Sequence, residues 1–279
     1  MLHFQQKLPD FNPVVAGGRA SVRVPNGPTY REFVLKHLHG GTPAKATKAE
    51  MIANIEEVVL KINGIARQTY SGEDLVMMNE FYEEDGFTDG ELVIPLSRHW
   101  AKTIQGQENL CWGTRNVDNI FLEVKLASGI TNPQLSCDAF FTPDSRDLGL
   151  IVEVHKVQFS SSVAGKVEIA DLAKENGSLL ALHMKNSDIT ACELKVDRAF
   201  IIESDADLET YQNRIKRVGG RNPQTGYVHL DAMHLNRIDD AVPLLGAQDF
   251  RVKPTLSSAG AIPILMETLN LPLGQPRSN

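Results

Sequence analysis

Long apolar runs are missing from this sequence. None of its 279 residues belongs to an apolar stretch of about 18 residues, the length that a membrane-spanning helix needs. The first residues lack a charged start followed by an apolar stretch, so no secretion signal is predicted. Cysteine is scarce: Cys111, Cys137 and Cys192 lie far apart and none has CxxC spacing. We therefore expect a protein made in the cytoplasm, with reduced and mostly buried thiols.

Basic residues are too few to balance the acidic ones. The chain contains 28 Lys and Arg residues against 35 Asp and Glu residues, which gives a formal net charge of −7. Binding to duplex nucleic acid requires a concentrated basic surface, because the affinity comes mainly from phosphate neutralisation. We therefore expect no direct nucleic-acid partner.

Motifs of common catalytic and phosphate-binding sites are also missing. The nucleophile motif GxSxG does not occur, and Ser160 to Ser162 form only a polar run at the end of a predicted strand. The pairs Gly17-Gly18 and Gly219-Gly220 have neither the GxxxxGK[ST] spacing of a phosphate-binding loop nor a dinucleotide-binding fingerprint. The sequence thus predicts no catalytic residues, and we expect that the chain is not an enzyme.

A hairpin followed by a helix, at residues 61–82, is the most specific local pattern present. Asn63-Gly64 separates two apolar runs, and this pair favours a tight hairpin turn because both residues adopt positive φ readily. Ser71 then offers a hydroxyl group that can cap a helix, and two acidic residues follow in the predicted first turn.

A similar unit follows at Lys195–Arg214, with Asp197 in the turn and Ser204 or Asp205 as the predicted helix cap. Lys195 corresponds to Lys61, a distance of 134 residues, and the second helix lies one residue nearer to its strand than the first. A repeat this long indicates two tandem domains of one fold, because solenoid repeats are only ~20–50 residues long.

Short strands fill most of each half, and Ile120–Leu126 shows the clearest alternation of apolar and polar residues. The other main strands are predicted at Ala20–Val24, Tyr30–His39, Leu92–Leu96, Leu135–Phe141, Leu150–Phe159, Leu179–Lys185, Tyr227–His234, Phe250–Leu256 and Ala261–Thr268. A helix is predicted at Arg98–Ile104, and Lys45–Ile55 is either a short helix or a loop. Many short strands with regular turn signals indicate a sandwich or barrel rather than a parallel α/β sheet.

Among the histidines, His37 and His39 are the best candidates for metal ligands. His37 and His39 form a His-x-His pair on a predicted strand, where both side chains share one face. Cupin-like enzymes use such a pair together with a nearby carboxylate and a distant third histidine, but residues 40–45 contain no acid. We expect ordinary side chains here, with a metal pair as the alternative. His229 and His234 are expected to be isolated residues on opposite faces of a strand.

An acidic loop is the other candidate for a cation site. Glu83, Glu84, Asp85 and Asp89 lie close together in sequence, and several carboxylates can bind Ca²⁺ as a structural ion. The ligand spacing of an EF-hand is missing, so the alternative is a solvated loop without a cation. No other cofactor is expected.

Turn and strand residues in the first third follow a distinctive order. They are Pro13-Val14-Val15-Ala16-Gly17, Ser21-Val22-Arg23-Val24-Pro25, Gly27, Thr29-Tyr30, Leu35, Gly41-Thr42-Pro43, Val59, Lys61-Ile62-Asn63-Gly64 and Thr69-Tyr70. This order, over residues 8–82, resembles the first barrel of the corticovirus-type major capsid (coat) proteins of membrane-containing bacteriophages. The second half resembles that family only in the layout of its strands.

The resemblance implies an all-β protein with inserted helices: two tandem jelly-roll barrels, the double jelly roll. It further implies a homotrimer with a nearly hexagonal outline that forms an icosahedral capsid over an internal membrane. The expected location is the virion, after synthesis in the host cytoplasm. The expected partners are further copies of the chain, penton and membrane-associated virion proteins, and lipid near the N-terminal arm.

The domain boundaries predicted on this basis are an N-terminal arm at 1–18, a first barrel at 19–146, a second barrel at 147–268 and a C-terminal arm at 269–279. The helix after each hairpin, both arms and the loops Leu110–Asn116 and Val218–Gly226 are expected to make contacts between copies. The alternative is a tandem-barrel, cupin-like metal-dependent enzyme or a carbohydrate-binding protein, with His37 and His39 as its metal ligands.

Overall fold

A computed structural model describes residues 3–82, 87–170, 172, 177–197, 199–203 and 206–272. Described residues up to Val154, together with Leu271 and Pro272, form one compact unit, and those from His155 to Asn270 form the other. No helix in the described residues has both the length and the apolar character required to cross a bilayer.

The first unit consists of two antiparallel sheets and three helices. Its strands are β1 (Phe4–Lys7), β2 (Arg19–Val24), β3 (Thr29–His39), β4 (Ala44–Lys45), β5 (Ile55–Ile62), β6 (Ile65–Tyr70), β7 (Glu91–Pro95), β8 (Trp112–Gly113), β9 (Ile120–Leu126) and β10 (Gln134–Thr142). Its helices are α1 (Lys48–Asn54), α2 (Gly72–Tyr82) and α3 (Ile104–Glu108).

One sheet of this unit is built around the long strand β3. Strand β10 pairs with one edge of β3, and the short strands β8, β7 and β4 pair in succession with the other. The second sheet has the order β2-β9-β5-β6. Alternate residues of β9 (Ile120, Leu122, Val124 and Leu126) are fully buried, which confirms the alternation predicted for this strand.

Strand β11 (Ile151–Ser161) carries the chain into the second unit. The further strands are β12 (Gly165–Lys166), β13 (Ser178–Lys185), β14 (Ile189–Val196), β15 (Ala199–Ile202), β16 (Tyr227–Asp231), β17 (Val242–Pro243), β18 (Phe250–Leu256) and β19 (Gly260–Asn270). One helix, α4 (Leu208–Gly219), and a 3₁₀ turn at Ile238–Asp240 complete the described elements of this unit.

Two sheets again enclose the core of the second unit. One contains β16, β13 and β19 in that order, with β17 beside β13, and the other has the order β12-β18-β14-β15. The core lies between them, and its fully buried members include Leu179, Leu182, Met184, Val252 and Met266. Apart from one parallel contact in the first unit, the register pairs within each unit are antiparallel.

Several expectations about local structure are wrong. Residues 1–18, predicted as an arm, are in part a packed element. They include β1, which pairs with β10 at the edge of a sheet, and Leu8 and Phe11 after it are buried. Arg98–Ile104 is not a helix; the short helix α3 begins only at Ile104. Tertiary packing overrides the local pattern here, because Trp100 stacks on Tyr82 with the ring centroids 4.3 Å apart.

The caps and the chain end also differ from expectation. Asp207, rather than Ser204 or Asp205, caps α4 by accepting a hydrogen bond from the Thr210 amide; the two predicted cap residues lie outside the described residues. Strand β19 continues to Asn270, past the predicted start of a C-terminal arm. Residues 273–279 of that arm lie outside the described residues.

Candidate functional site

The predicted hairpin turn is present and is held by a side-chain clamp. Asn63 and Gly64 both have positive φ, +50° and +80°, as this turn requires. The Asn63 Oδ1 atom accepts hydrogen bonds from the backbone amides of Asp118, at 3.0 Å, and Asn119, at 3.2 Å. One amide side chain therefore fixes the hairpin tip to the loop before β9.

The second unit contains the same clamp with a carboxylate. Asp197 has a φ of +52°, and its Oδ1 atom accepts hydrogen bonds from the amides of Gln248 and Asp249, both at 2.9 Å. The clamped loop precedes β18, as the clamped loop of the first unit precedes β9. The repeat that the sequence predicted thus extends to individual hydrogen bonds.

A second repeated contact joins each helix to a strand. The Asn79 side chain on α2 donates to the Val93 carbonyl, at 2.8 Å, and accepts from the Val93 amide, at 2.9 Å. Gln212 on α4 does the same to His229, at 2.7 Å and 3.3 Å. The two amide side chains are 133 residues apart, the offset predicted for the helices, so each helix is seated on its sheet in the same way.

The two helices differ in how much surface they leave exposed. Helix α2 begins with a reciprocal cap between Ser71 and Asp74, as the sequence predicted for Ser71, and most of its residues are buried within the chain. Helix α4 buries only Leu208, Ile215 and Gly219. Its exposed face consists of Glu209, Thr210, Asn213, Arg214, Lys216 and Arg217.

His37 and His39 are brought together but not as metal ligands. Their rings stack with centroids 5.5 Å apart, and His37 is fully buried. The two ring nitrogens of His37 bond the Gln134 carbonyl and the Asn54 side chain, both at 3.1 Å. His39 pairs with Glu50 at 3.3 Å. Both nitrogens of His37 are thus committed to hydrogen bonds, which excludes the convergent donors that a metal needs.

Glu50 is held strongly acidic by its place at a helix start. Its carboxylate accepts the Thr47 amide and its own amide bonds the Thr47 hydroxyl, a capping box that the sequence analysis missed. The Thr47 backbone amide, the Thr47 hydroxyl and then His39 lower the pKa of Glu50 to about 2. This stabilising charge is present above the ordinary carboxyl pKa and is lost only as the pH falls through about 2.

The calcium candidates are only partly described. Glu83, Glu84 and Asp85 lie outside the described residues, and Asp89 is exposed in the turn before β7. Among the residues that the structure describes, no group of three or more His, Cys, Asp or Glu side chains is arranged to hold a metal ion. Calcium binding at this loop stays a prediction.

The cysteines and tryptophans are structural. All three cysteines are unpaired and buried, which confirms the expectation, and burial raises the pKa of Cys192 to about 12. Trp112 is fully buried, and the Arg98 guanidinium lies 5.1 Å from the centroid of the Trp100 ring. Cys111, Cys137 and the two tryptophans pack the first unit, and Cys192 packs the core of the second.

The second unit contains a buried polar group that the sequence analysis missed. His229 was expected to be isolated, but its Nδ1 atom lies 2.7 Å from Nδ1 of His183, and Nε2 of His183 lies 2.9 Å from Glu267. The three side chains are at most 1% exposed. No local signal could have found this group, because its members come from three strands and lie up to 84 residues apart.

Exposed strand surfaces in both units are covered with paired charges. In the first unit Glu123 on β9 pairs with Arg19 on β2 and with Lys61 on β5. In the second unit Lys166 on β12 pairs with Glu193 on β14. Exposed pairs of this kind add little stability. On the described strands the large exposed apolar side chains are Phe4 on β1 and Ile65 on β6.

Single exposed apolar side chains occur in loops, at Val163 and Leu245, and at the first residue of an element, at Ile65 in β6 and Ile104 in α3. Ile104 is 78% exposed, Leu245 is 72% exposed, and Val163 and Ile65 are more than half exposed. The predicted contact loop Leu110–Asn116 is mostly buried, with Arg115 and Asn116 as its exposed part. In Val218–Gly226, the exposed residues are Gly220 and Thr225.

Two family models together cover nearly the whole chain. The model described as viral coat protein P2 N-terminal domain matches residues 5–142, and the model described as viral coat protein P2 C-terminal domain matches residues 151–272. No match was found among curated protein sequences.

Solved structures show the same fold. The major capsid protein P2 from bacteriophage PM2 has a TM-score of 0.84 and 20% identity over all of both chains. The structure of Sulfolobus turreted icosahedral virus gives 0.70 and 13%, over 97% of this chain and 91% of that one. The PBCV-1 virus capsid gives 0.66 and 9%, over 96% and 93%. The architecture is therefore the predicted double jelly roll.

Proposed function

Because the chain belongs to the viral coat protein P2 family, we propose that its copies assemble as pseudo-hexagonal homotrimers into an icosahedral capsid over a lipid membrane. The family locates the protein in the virion capsid. Its function there is structural, so the residues that matter are those that hold the barrels in shape and those that contact neighbouring molecules.

The main support for the proposed trimer is the structural repeat within one chain. Both units contain the hairpin clamp and the amide contact between helix and strand, at Asn63 and Asn79 in the first and at Asp197 and Gln212 in the second. A chain with two such similar barrels supplies two of six similar positions in a ring. Three chains then complete a hexagonal outline with one kind of subunit.

Loops and the exposed face of α4 are the proposed contact surfaces. Permanent interfaces bury ~2,000–5,000 Å² and have apolar centres. The exposed side chains of Ile104 and Leu245 supply apolar surface for such centres. Helix α2, which was expected to contribute equally, is mostly buried within its own chain, so α4 is the better candidate.

Lipid near the N-terminal arm, which the resemblance implies, would require basic side chains that are free to attract anionic headgroups. Within the chain, however, Lys7 pairs with Asp10 at 2.8 Å, and Arg19 pairs with Glu57 and Glu123. Little uncompensated charge is left for an anionic surface. We therefore assign this segment to contacts with neighbouring copies. Binding of the purified protein to anionic vesicles, lost on removal of this segment, would restore the lipid assignment.

Penton and membrane-associated virion proteins remain proposed partners of the capsid protein.

Calcium remains a proposed structural ion at Glu83, Glu84, Asp85 and Asp89. If calcium bridges these carboxylates, removing it exposes like charges to one another, and the melting temperature of the assembled protein should fall by several degrees on chelation. Differential scanning fluorimetry with and without EGTA checks this. As the control, Ca²⁺ added back in excess should restore the melting temperature. A melting temperature that EGTA leaves unchanged would remove calcium from the proposal.

A single measurement separates this proposal from the cupin-like alternative. Light scattering on a sizing column, with metal analysis of the same peak, should give three chains of 30.8 kDa each and no stoichiometric transition metal. A monomer or dimer with bound iron, zinc or manganese would favour an enzyme. The stacked geometry of His37 and His39 gives that alternative no support.

A further inference from the structure

The buried group in the second unit extends into a surface loop. His183, His229 and Glu267 lie on the sheet face opposite the core, since their strand neighbours Leu182, Met184, Val228, Leu230 and Met266 point inward. The loop between α4 and β16 lies over them: the Gln224 backbone amide donates to Nε2 of His229 at 3.1 Å. Four groups thus form one continuous chain of hydrogen bonds.

Only one arrangement of protons satisfies this chain. A backbone amide can only donate, so Nε2 of His229 carries no proton and the neutral ring is protonated on Nδ1. That N–H donates to Nδ1 of His183, which must then carry its own proton on Nε2. The His183 Nε2–H group donates in turn to the Glu267 carboxylate. The Gln224 amide thus sets the direction of donation in every hydrogen bond of the chain, from the loop to Glu267.

A proton added to either histidine leaves Nε2 of His229 protonated. If His229 takes it, the proton sits on Nε2, directly opposite the Gln224 N–H group. If His183 takes it on Nδ1, His229 must accept from His183 and shift its own proton to Nε2. In both cases the other hydrogen bonds survive and two donors meet at Gln224, so the bond to the loop is the one that breaks.

We propose that this chain is a proton-sensitive latch, which holds the loop at residues 222–226 on the sheet at neutral pH and releases it in mild acid. The inference concerns the second unit alone and does not depend on the proposed assembly.

The surroundings keep the closed latch neutral. Burial, and then the neighbouring His183, hold the pKa of His229 well below its ordinary value of 6.5. The other titratable or charged groups on the surrounding elements are Lys185 on β13, Tyr227 and Asp231 on β16, Glu267 on β19, Arg221 and His234 in the adjoining loops, and Glu209, Tyr211, Arg214, Lys216 and Arg217 on α4. The open form regains an ordinary histidine pKa, so it binds a proton that the closed form rejects, and opening becomes more favourable as the pH falls below about 6.5.

The start of the loop, at Arg221, is anchored independently of the histidine pair, so only the residues after it can be released. Arg221 stays anchored, with its Nε atom 2.8 Å from the Asp231 carboxylate and both side chains buried. Gly220 is part of this anchor, because it caps α4 with a φ of +68° and its amide bonds the carbonyls of Ile215 and Lys216. Gly226, with a φ of +82°, precedes β16 at the other end of the segment. Release therefore begins beyond Arg221 and ends at Gly226.

Hydrogen exchange of individual amides tests the latch in the full-length protein. Between about pH 7.5 and pH 5.5, after correction for intrinsic rates, protection of the Gln224 amide should fall roughly tenfold, as expected for one linked proton. Protection of the Val252 amide, which bonds Ile169 within the same unit, should not change. An unchanged Gln224 amide, or an equal loss at Val252, would overturn the proposal.

Two histidine variants test whether His229 causes the pH response of the Gln224 amide. His229→Gln removes the titrating ring and should abolish the pH response at Gln224, whereas His39→Gln, at a histidine of the first unit, should retain it. A response that persists in His229→Gln would contradict the latch. Should that variant fail to fold, nitrogen-15 spectra of the wild-type histidines decide: the latch requires His229 protonated on Nδ1 and His183 on Nε2 at about pH 7.5, and the reverse would overturn it.

Discussion

Asn63 and Asp197 perform the same task with different chemistry. Each has a left-handed backbone conformation, which asparagine and aspartate tolerate better than other side-chain-bearing residues, and each accepts two backbone amides through one oxygen. The property that matters at both positions is therefore a short side chain with an acceptor oxygen. Charge is incidental to the clamp.

Replacement of Asn63 by alanine should destabilise the protein by about 2 kcal/mol. The variant loses the acceptor for two amides and places an ordinary Cβ in the left-handed region. Urea denaturation followed by tryptophan fluorescence measures this, since both tryptophans lie in the first unit. The controls Asn63→Asp and Asp197→Asn should stay within about 0.5 kcal/mol of wild type. A large loss in these controls would show that charge, not the acceptor, holds the turn.

At the scale of elements, the contact between helix and strand is what repeats. Asn79 and Gln212 each satisfy both backbone groups of one residue on a neighbouring strand, Val93 and His229. Buried backbone groups without partners are costly, so a helix seated in this way resists displacement. The contact at His229 also places α4 beside the buried histidine pair.

The substitution Gln212→Leu should lower the free energy of unfolding by about 2 kcal/mol, because it leaves the backbone amide and carbonyl of His229 without the side chain that bonds them. Its neighbour Asn213 is exposed, and Asn213→Leu should change stability by less than about 0.5 kcal/mol. Thermal denaturation by circular dichroism compares the two variants. Equal melting temperatures for both would show that the contact at His229 is not what seats α4.

The elements differ in how well local sequence predicted them. The hairpins, the alternating strand β9 and the offset between repeats were predictable, since each depends on residues close in sequence. Strand β1 was missed because its pairing with β10 spans more than 130 residues. The helix predicted near Trp100 was wrong because ring stacking on Tyr82 decides that backbone. The pair His183 and His229 required knowledge of strand neighbours, which no periodicity provides.

At the scale of the whole molecule, the surface indicates how copies could meet. Strands carry paired charges on their outer surface, such as Lys61 and Glu123, while Ile104 at the start of α3 and Leu245 in a loop are exposed apolar side chains. A coat protein has to remain folded before assembly and still bury apolar surface afterwards. Isolated exposed apolar side chains meet both requirements, because each is too small a patch to cause aggregation.

The substitutions Ile104→Asp and Leu245→Asp should weaken association of the chain at least tenfold and leave its fold intact. A carboxylate in an apolar contact centre has to be desolvated without a partner. Sedimentation velocity over a dilution series measures the association, and circular dichroism checks the fold. The control Ile104→Leu keeps the apolar surface and should associate like wild type. Unchanged association in both aspartate variants would move the contacts to other surfaces.

The most direct test of the account is electron microscopy of the purified oligomer in projection. Three chains, each with two barrels that share the clamps at Asn63 and Asp197, should give class averages with a nearly hexagonal outline and six similar densities. Averages that show a single two-lobed particle, or a ring whose densities are not a multiple of six, would contradict the proposal that one chain supplies two equivalent positions of a capsomer.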